Sequence, residues 1–377
     1  MSAYHQMGHD SSNLLVVSGY AGAIISPVNE VEADVVEFVK EHRREGFEFI
    51  FDPQLYFPRR GDRGKLGTWG YFPRDFETAD FSSTDWWAGM LDELVSTAVR
   101  VGASKVCSPA FIAAATLTNS YYDEMRGRAD LLVEIAAERK LHVLQTVVVR
   151  LGDLANPTRA LEIASIVSNS RASGIYLVML SDLRPREELR DVDQLKGAML
   201  LINSLEVSGI PVLVGCCSSD LLLWKAAGAT SCATGKFANL RRFTEGRFNE
   251  TDEGGRQMPY WFEEKMLSFL RGSDIQRVQQ HGLASANGNP FAVSILAQFV
   301  AEPTRAWVGL GWRQYMYWFA EMEARLRIGT TRARDLVRSA EQNWQMLEEQ
   351  DVFMEEPTND GRWLRAWLRA IVEFNRV

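Results

Sequence analysis

Cysteine and histidine are scarce in this sequence of 377 residues, four of the first and five of the second. Cys107, Cys216, Cys217 and Cys232 lie in apolar, strand-like contexts, and no CxxC occurs. That excludes a disulfide-stapled framework and a zinc-ribbon type of site, and reads as reduced, buried thiols. His5 and His9 precede any patterned segment, while His42, His142 and His281 are scattered, so the usual metal-ligand spacings are missing. No GxSxG occurs, which removes the nucleophile-elbow hydrolases. No apolar run reaches the length of a membrane-spanning helix, so no membrane partner is expected. MSAYHQMGHDSSN has no basic region leading into an apolar one; no signal peptide is expected, and the cytoplasm is the expected compartment. A net charge of −8 excludes a chain that coats nucleic acid over its whole surface, though not a local basic patch.

What the chain does have is an alternation. From residue 14 to about 240, β-rich runs alternate with helical patterns. The runs are LLVVSG (14–19), AIISP (23–27), FEFIF (47–51), SKVCSP (104–109), HVLQTVVVRL (142–151), GIYLVML (174–180), IPVLVGCC (210–217) and TSCATG (230–235). Several are continuously apolar, as strands of a parallel sheet buried on both faces are. Between them, NEVEADVVEFVKEHRREG sets Val31, Val35, Phe38 and Val39 at helical spacing and stops at Gly46. Pro157 opens another helical pattern, where its missing N–H costs nothing. This repetition predicts an α/β fold: a (β/α)8 TIM-type barrel over residues 14–245 with a long insertion at 56–85, the alternative being an open doubly wound sheet. LLVVSG and AIISP read as one bent strand or as two, which leaves the position of the eighth strand open. Residues 1–13 read as a flexible N-terminus, and 258–377 as an α-helical C-terminal domain that includes MPYWFEEKMLSFLRG.

In a parallel barrel, ligands bind where the C-terminal strand ends and their loops meet. FEFIF ends at Asp52 and runs into a loop where Arg59, Arg60, Arg63, Lys65 and Arg74 are interleaved with Tyr56, Phe57, Trp69, Tyr71 and Phe72. Asp52, beside Gln54, is placed to orient a substrate or take a proton; its other reading is an Asp that caps the turn before Pro53. Asp182, in MLSDLRPREE, is a second such carboxylate, with ordinary helix capping as its other reading. The loop reads as a lid, with Arg59 and Arg60 holding an anion and Tyr56 and Trp69 stacking on a base, or as an insertion whose rings pack on the barrel.

The stretch IPVLVGCCSSDLLLWKAAGATSCATGKFANLRRF (210–243) holds two complete units, the first strand ending at Gly215 and the second at Thr234-Gly235-Lys236. It resembles the terminal half of phosphate-binding barrels, the flavin-mononucleotide type among them. That resemblance implies an anion held by Ser218, Thr234, Gly235, Lys236 and Arg241, and flavin mononucleotide as a candidate cofactor. Cys216 stands where that family has one of its paired glycines. The plain reading is two units with tight turns. GATSCATGKFANLRRF is also similar to the end of tRNA-guanine transglycosylase barrels, which implies base exchange at a glycosidic bond. That family's closely spaced Cys and His cluster is absent here, and its nucleophilic Asp has no counterpart in the stretch.

GRWLRAWLRAIVEFNR (361–376) spaces Trp363, Trp367 and Ile371 four apart with arginines beside them. It reads as a helix that buries Trp against the barrel, or as a surface for a protein partner or a second copy of the chain. The expected function is an enzyme acting on a phosphorylated small molecule or a nucleotide, a nucleic-acid end included, with glycosidic-bond chemistry as the first reaction class. Asp52 and Asp182 are the candidate catalytic groups. The alternative is a non-catalytic barrel scaffold whose helical C-terminal region binds a protein partner in a multi-protein assembly.

Overall fold

The computed structural model describes residues 3–9, 19–57, 64–74, 77–112, 116–248, 258–302, 306–327 and 332–376. Eight parallel strands close on themselves in chain order. They are β1 (Ala3–Gln6), β2 (Tyr20–Ile25), β3 (Glu48–Phe51), β4 (Lys105–Cys107), β5 (His142–Arg150), β6 (Ile175–Leu180), β7 (Val212–Val214) and β8 (Ser231–Thr234). Helices α1 (Glu32–His42), α2 (Thr84–Arg100), α3 (Asn119–Ala137), α4 (Pro157–Val167), α5 (Val192–Val207) and α6 (Leu221–Ala226) intervene. The chain is therefore a (β/α)8 barrel with C-terminal helices.

Local chemistry sets the helix ends. Ser83, Thr118, Asn156 and Asp191 cap α2, α3, α4 and α5 by accepting from backbone N–H groups of the first turn. Pro157 occupies the first turn of α4. In α1, Glu32 and Asp34 lie in the first turn and Lys40 and His42 in the last, which suits the helix dipole.

The first strand corrects the sequence reading. Residues 3–6, read as part of a flexible tail, form β1 and are fully covered, pairing with β2 on one side and β8 on the other. Ala-Tyr-His-Gln carries no branched apolar pattern, so it gave no strand signal. Of the run 14–19, only Gly19 lies within the described residues.

Strand faces follow from one cross-barrel contact. Tyr176 Oη donates to Gln6 Oε1 at 3.0 Å, and β6 and β1 are not neighbours, so both side chains point inward. Period two and the register then place Ile24, Ile50, Cys107, Thr146 and Arg150 on the same inner face. Lys105 Nζ lies 2.8 Å from Glu48 Oε2 near the opposite, N-terminal end.

Beyond the barrel the reading of continuous helix fails at 258–271. Trp261–Glu263 (β9) and Ser268–Leu270 (β10) pair as an antiparallel hairpin. Buried Glu263 accepts from Trp261 Nε1, Lys265 N and Ala284 N, and Leu267 sits at φ +53. Tertiary hydrogen bonding here overrides helix propensity. Five helices follow: α7 (Gly272–Gln279), α8 (Pro290–Ala301), α9 (Val308–Arg327), α10 (Ala333–Glu349) and α11 (Trp363–Phe374). Helix α9 packs on β8, β1 and α6, the place of the eighth barrel helix, while α10 and α11 pack on α6 and α5. Trp363 and Trp367 are buried, the first against Trp344 and the second donating to Leu189 O at 2.8 Å. The tryptophans that suggested a partner surface are thus spent inside the molecule. Among the described residues no helix is long and apolar enough to cross a membrane.

Candidate functional site

At the C-terminal end of β3 the chain turns on Asp52, which is 2% exposed. Its Oδ1 accepts from Gln54 N at 2.9 Å, the turn-capping geometry, and its Oδ2 accepts from Tyr56 Oη at 3.0 Å. The turn cap read for Asp52 is thus present, and its second oxygen is held by Tyr56. Gln54 Oε1 accepts from Ser26 Oγ at 3.0 Å and Val28 N at 3.3 Å, tying the β2 loop to the β3 loop. Gln54 lies at φ +54, and Cys216, at the end of β7, lies at φ +56. Left-handed backbone disfavours both residue types, and strain of this kind concentrates at functional sites. The position read as a lost glycine thus keeps a glycine-like backbone.

Burial, and after it the charge of Asp52, pushes the Tyr56, Tyr71 and Cys107 groups well up. All three stay protonated at neutral pH. Tyr56 donates to Asp52 and Tyr71 to Pro53 O at 3.0 Å, and Cys107 is no thiolate nucleophile. The mouth is covered by the segment after β8. Phe243 and Phe248 pack their rings on Tyr56 at 4.9 and 6.0 Å, and Ser181 N donates to Phe243 O. Arg150 Nη2 donates to Glu245 Oε1 at 2.8 Å, fastening the cover to β5.

Trp69 takes a different role from the one expected. Its ring is wholly buried beside Phe51 and Tyr71, and Nε1 donates to Pro27 O and Glu30 O at 3.0 and 3.1 Å. It locks the loops instead of offering a stacking face. Arg59 and Arg60 lie outside the described residues.

The rim at β7 and β8 is filled. Ser218 N is spent on Asp220 Oδ1 at 2.7 Å. Thr234 Oγ1 donates to Cys217 O at 2.6 Å and lies 2.8 Å from Tyr315 Oη on α9. A Cβ on Gly235 would fall 2.4 Å from Leu240 Cβ and 2.8 Å from Gln6 O, so the glycine serves close packing. Lys236 Nζ lies over the Phe237 and Trp312 rings at 4.7 and 4.9 Å. Arg241 stacks between Phe269 and Tyr315 and donates to Gly235 O at 2.9 Å and Lys236 O at 2.6 Å. These residues do not fit a flavin phosphate. The glycine pattern that resembles a phosphate cradle makes room for Leu240.

Asp182 lies apart from this group. It is exposed and lines a crevice of about 430 Å³ with Gly152, Ser181, Glu188, Arg190 and Thr358. Behind it Arg242 reaches Glu188 Oε2 at 3.1 Å and Asp220 Oδ2 at 3.5 Å. Burial raises Glu188 to about 7 against the pull of Arg242, and Asp220 is also raised, by burial first. Among the described residues no group of His, Cys, Asp and Glu is placed to hold a metal ion.

On the β4–β5 side of the mouth the strand-end rule selects Ser108, Arg150 and Asp153, but sequence reasoning missed Tyr121 and Tyr122, which open α3. The Tyr121 and Tyr122 hydroxyls and Asp153 Oδ2 are buried without a hydrogen-bond partner. Only a three-dimensional view exposes that signal.

No family model matches the sequence, and no curated protein matches it. Among solved structures, the chain is similar to a glycosyl hydrolase of the GH3 family from Mycobacterium smegmatis, with TM-score 0.42 and 11% identity over 63% of this chain and 84% of that one. It is similar to an L-ribulose 3-epimerase at TM-score 0.39 and 12% identity, over 94% and 99% of the two chains. It is also similar to a type I 3-dehydroquinate dehydratase from Clostridium difficile, at TM-score 0.36 and 9% identity over 66% and 89%. The assignment of the barrel rests on the strand pairing itself.

Proposed function

We propose that this chain is an enzyme acting on a phosphorylated or nucleotide-like small molecule in the mouth of its barrel, with Asp52 as the reacting carboxylate. The observation that carries the reading is the setting of Asp52: buried at the C-terminal mouth, fixed through both oxygens, and followed by Gln54 in left-handed backbone. Tyr56, Tyr71 and Cys107 around it stay protonated. A carboxylate preorganised in a dry mouth suits stabilisation of developing positive charge, as in the oxocarbenium-like transition state of glycosidic-bond chemistry. Nucleobase transfer or release is therefore the reaction class to assay first.

Asp52→Asn tests it. Asn keeps the acceptor for Gln54 N and removes the charge. The variant is expected to fold, by circular dichroism and thermal melting, and to lose about 10²–10⁴-fold in turnover of a nucleoside and nucleotide panel followed by mass spectrometry. A folded Asp52→Asn protein with full turnover would refute the assignment.

A further inference from the structure

The β4–β5 side of the mouth holds polar groups that the fold itself does not use. Tyr122 is 1% exposed, and neither its hydroxyl nor that of Tyr121 has a hydrogen-bond partner. Asp153 Oδ2 is buried in the same state. The three belong to one neighbourhood. The Tyr121 and Tyr122 rings meet edge to face at 5.2 Å. The charge of Arg150 acts on both hydroxyls, and that of Asp153 on Tyr122. Arg159 lies 5.4 Å over the Tyr122 ring and is fastened by Glu162. Arg150 ends β5 on the inner face and meets Glu245 of the covering segment. Both tyrosines sit in the first turn of the 19-residue helix α3, whose N-terminal dipole favours an anion.

Buried hydroxyls are nearly always paired, so two unpaired ones beside an arginine and a helix N-terminus call for an acceptor from outside the chain. We infer that this sector is the subsite for a phosphate monoester: the Tyr121 and Tyr122 hydroxyls donate to its oxygens beside Arg150, and Asp153 Oδ2 accepts from a neighbouring ligand hydroxyl. The inference rests on the reading of the mouth as a ligand site and supplies the anionic half of that ligand. It puts the anion across the mouth from β7 and β8, where Leu240 fills the turn that resembles a phosphate cradle.

The test uses the full chain with ribose 5-phosphate, ribose and inorganic phosphate as probes, read by isothermal titration and thermal melting. The unmodified protein is expected to bind ribose 5-phosphate at least about tenfold more tightly than ribose. Tyr121→Phe and Tyr122→Phe should each weaken that binding about tenfold or more. Neither should lower the melting temperature without ligand, because each removes a hydroxyl that has no partner in the fold. Asp153→Asn should weaken ribose 5-phosphate and leave inorganic phosphate unchanged. Asp52→Asn should retain phosphate binding, so loss of turnover there and loss of binding here are separate failures. Equal binding of ribose and ribose 5-phosphate, or Tyr→Phe variants that bind like the parent, would overturn the subsite. So would a fall in ligand-free melting temperature in both Tyr→Phe variants, since the hydroxyls would then be structural.

Discussion

Glu188→Gln should stabilise this protein at alkaline pH and not at acid pH. Arg242 faces two carboxylates, Glu188 Oε2 at 3.1 Å and Asp220 Oδ2 at 3.5 Å, with side-chain exposures of 4% for Arg242, 12% for Glu188 and 4% for Asp220. One guanidinium cannot offset two buried negative charges. Burial dominates, Arg242 opposes it, and the charge of Asp220 adds to it, so Glu188 rises from 4.5 to about 7. Between those values the folded state holds a proton that the unfolded chain has released. Stability therefore falls as pH climbs through that window, by about 1.4 kcal/mol per unit and roughly 3 kcal/mol in all. Gln titrates nowhere in the window and still offers Arg242 an acceptor. His5 imposes the opposite slope: burial and then the Lys236 charge depress it to about 3, so its contribution fades as pH drops from 6.5. That slope is common to both proteins and cancels in their difference. The assay is urea unfolding of parent and variant at about pH 5 and about pH 8, with the free-energy difference compared between the two. The variant should gain roughly 3 kcal/mol on the parent from the lower pH to the higher. A pH-independent difference, or one in which the parent gains, would mean that Arg242 holds Glu188 as an ordinary ionised partner, and the reasoning would fail.

Two other substitutions test the packing that positions the rim. Arg241→Lys should cost about 2–4 kcal/mol in urea unfolding, since an ammonium cannot keep both carbonyl bonds and the stack between Phe269 and Tyr315; a loss below about 0.5 kcal/mol would show that the guanidinium geometry is unimportant. Gly197→Ala should cost at least about 2 kcal/mol, because its Cβ would fall 1.7 Å from Leu154 O, backbone against which α5 is pressed. Gly127→Ala, in α3 with nothing within 4 Å, should instead gain roughly 0.5–1 kcal/mol; equal effects at the two sites would deny that close approach sets the first.

The barrel was legible because most of its strands are continuous apolar runs bounded by helix signals. Each of the runs 47–51, 104–109, 142–151, 174–180, 210–217 and 230–235 contains one strand. β1 was not legible, because Tyr4, His5 and Gln6 look polar in one dimension. In three, Gln6 takes the hydrogen bond of Tyr176 inside the barrel and His5 is buried near Lys236. The hairpin at 261–270 was hidden for a related reason: Glu263, which reads as a solvent-facing helix residue, folds inward to accept three hydrogen bonds. At the candidate site, the strand-end rule singled out Asp52 and Gln54 and the loop reading Tyr56, three residues joined by bonds local in sequence through Asp52. The rule also named Arg150 and Asp153 at the end of β5, but it could not find Tyr121 and Tyr122, which open a helix and end no strand. It was misled at Gly235, since a glycine that admits a phosphate and one that admits a leucine side chain are the same letter.

The late arrival of the eighth helix explains how the rim is divided. After β8 the chain crosses the mouth, builds the hairpin and two helices, and only then lays α9 in the eighth position. Tyr315 of α9 takes Thr234, its Met316 carbonyl takes Tyr20 Oη at 2.8 Å, and Arg241 is clamped between α9 and the hairpin. The cationic residues that follow β8 are thereby committed to joining the C-terminal elements to the barrel, and Arg242 is committed to Glu188 and Asp220. The strained residue Gln54, the preorganised carboxylate and the unpartnered hydroxyls lie around β3, β4 and β5, away from that junction. Under the proposed function, a ligand of that group would displace the contacts of Phe243 and Phe248 on Tyr56, rings that touch Tyr56 edge to face. Asp52, which takes the Tyr56 hydroxyl, stays 2% exposed beneath those contacts, and under the proposed function the ligand would have to replace them to keep it dry.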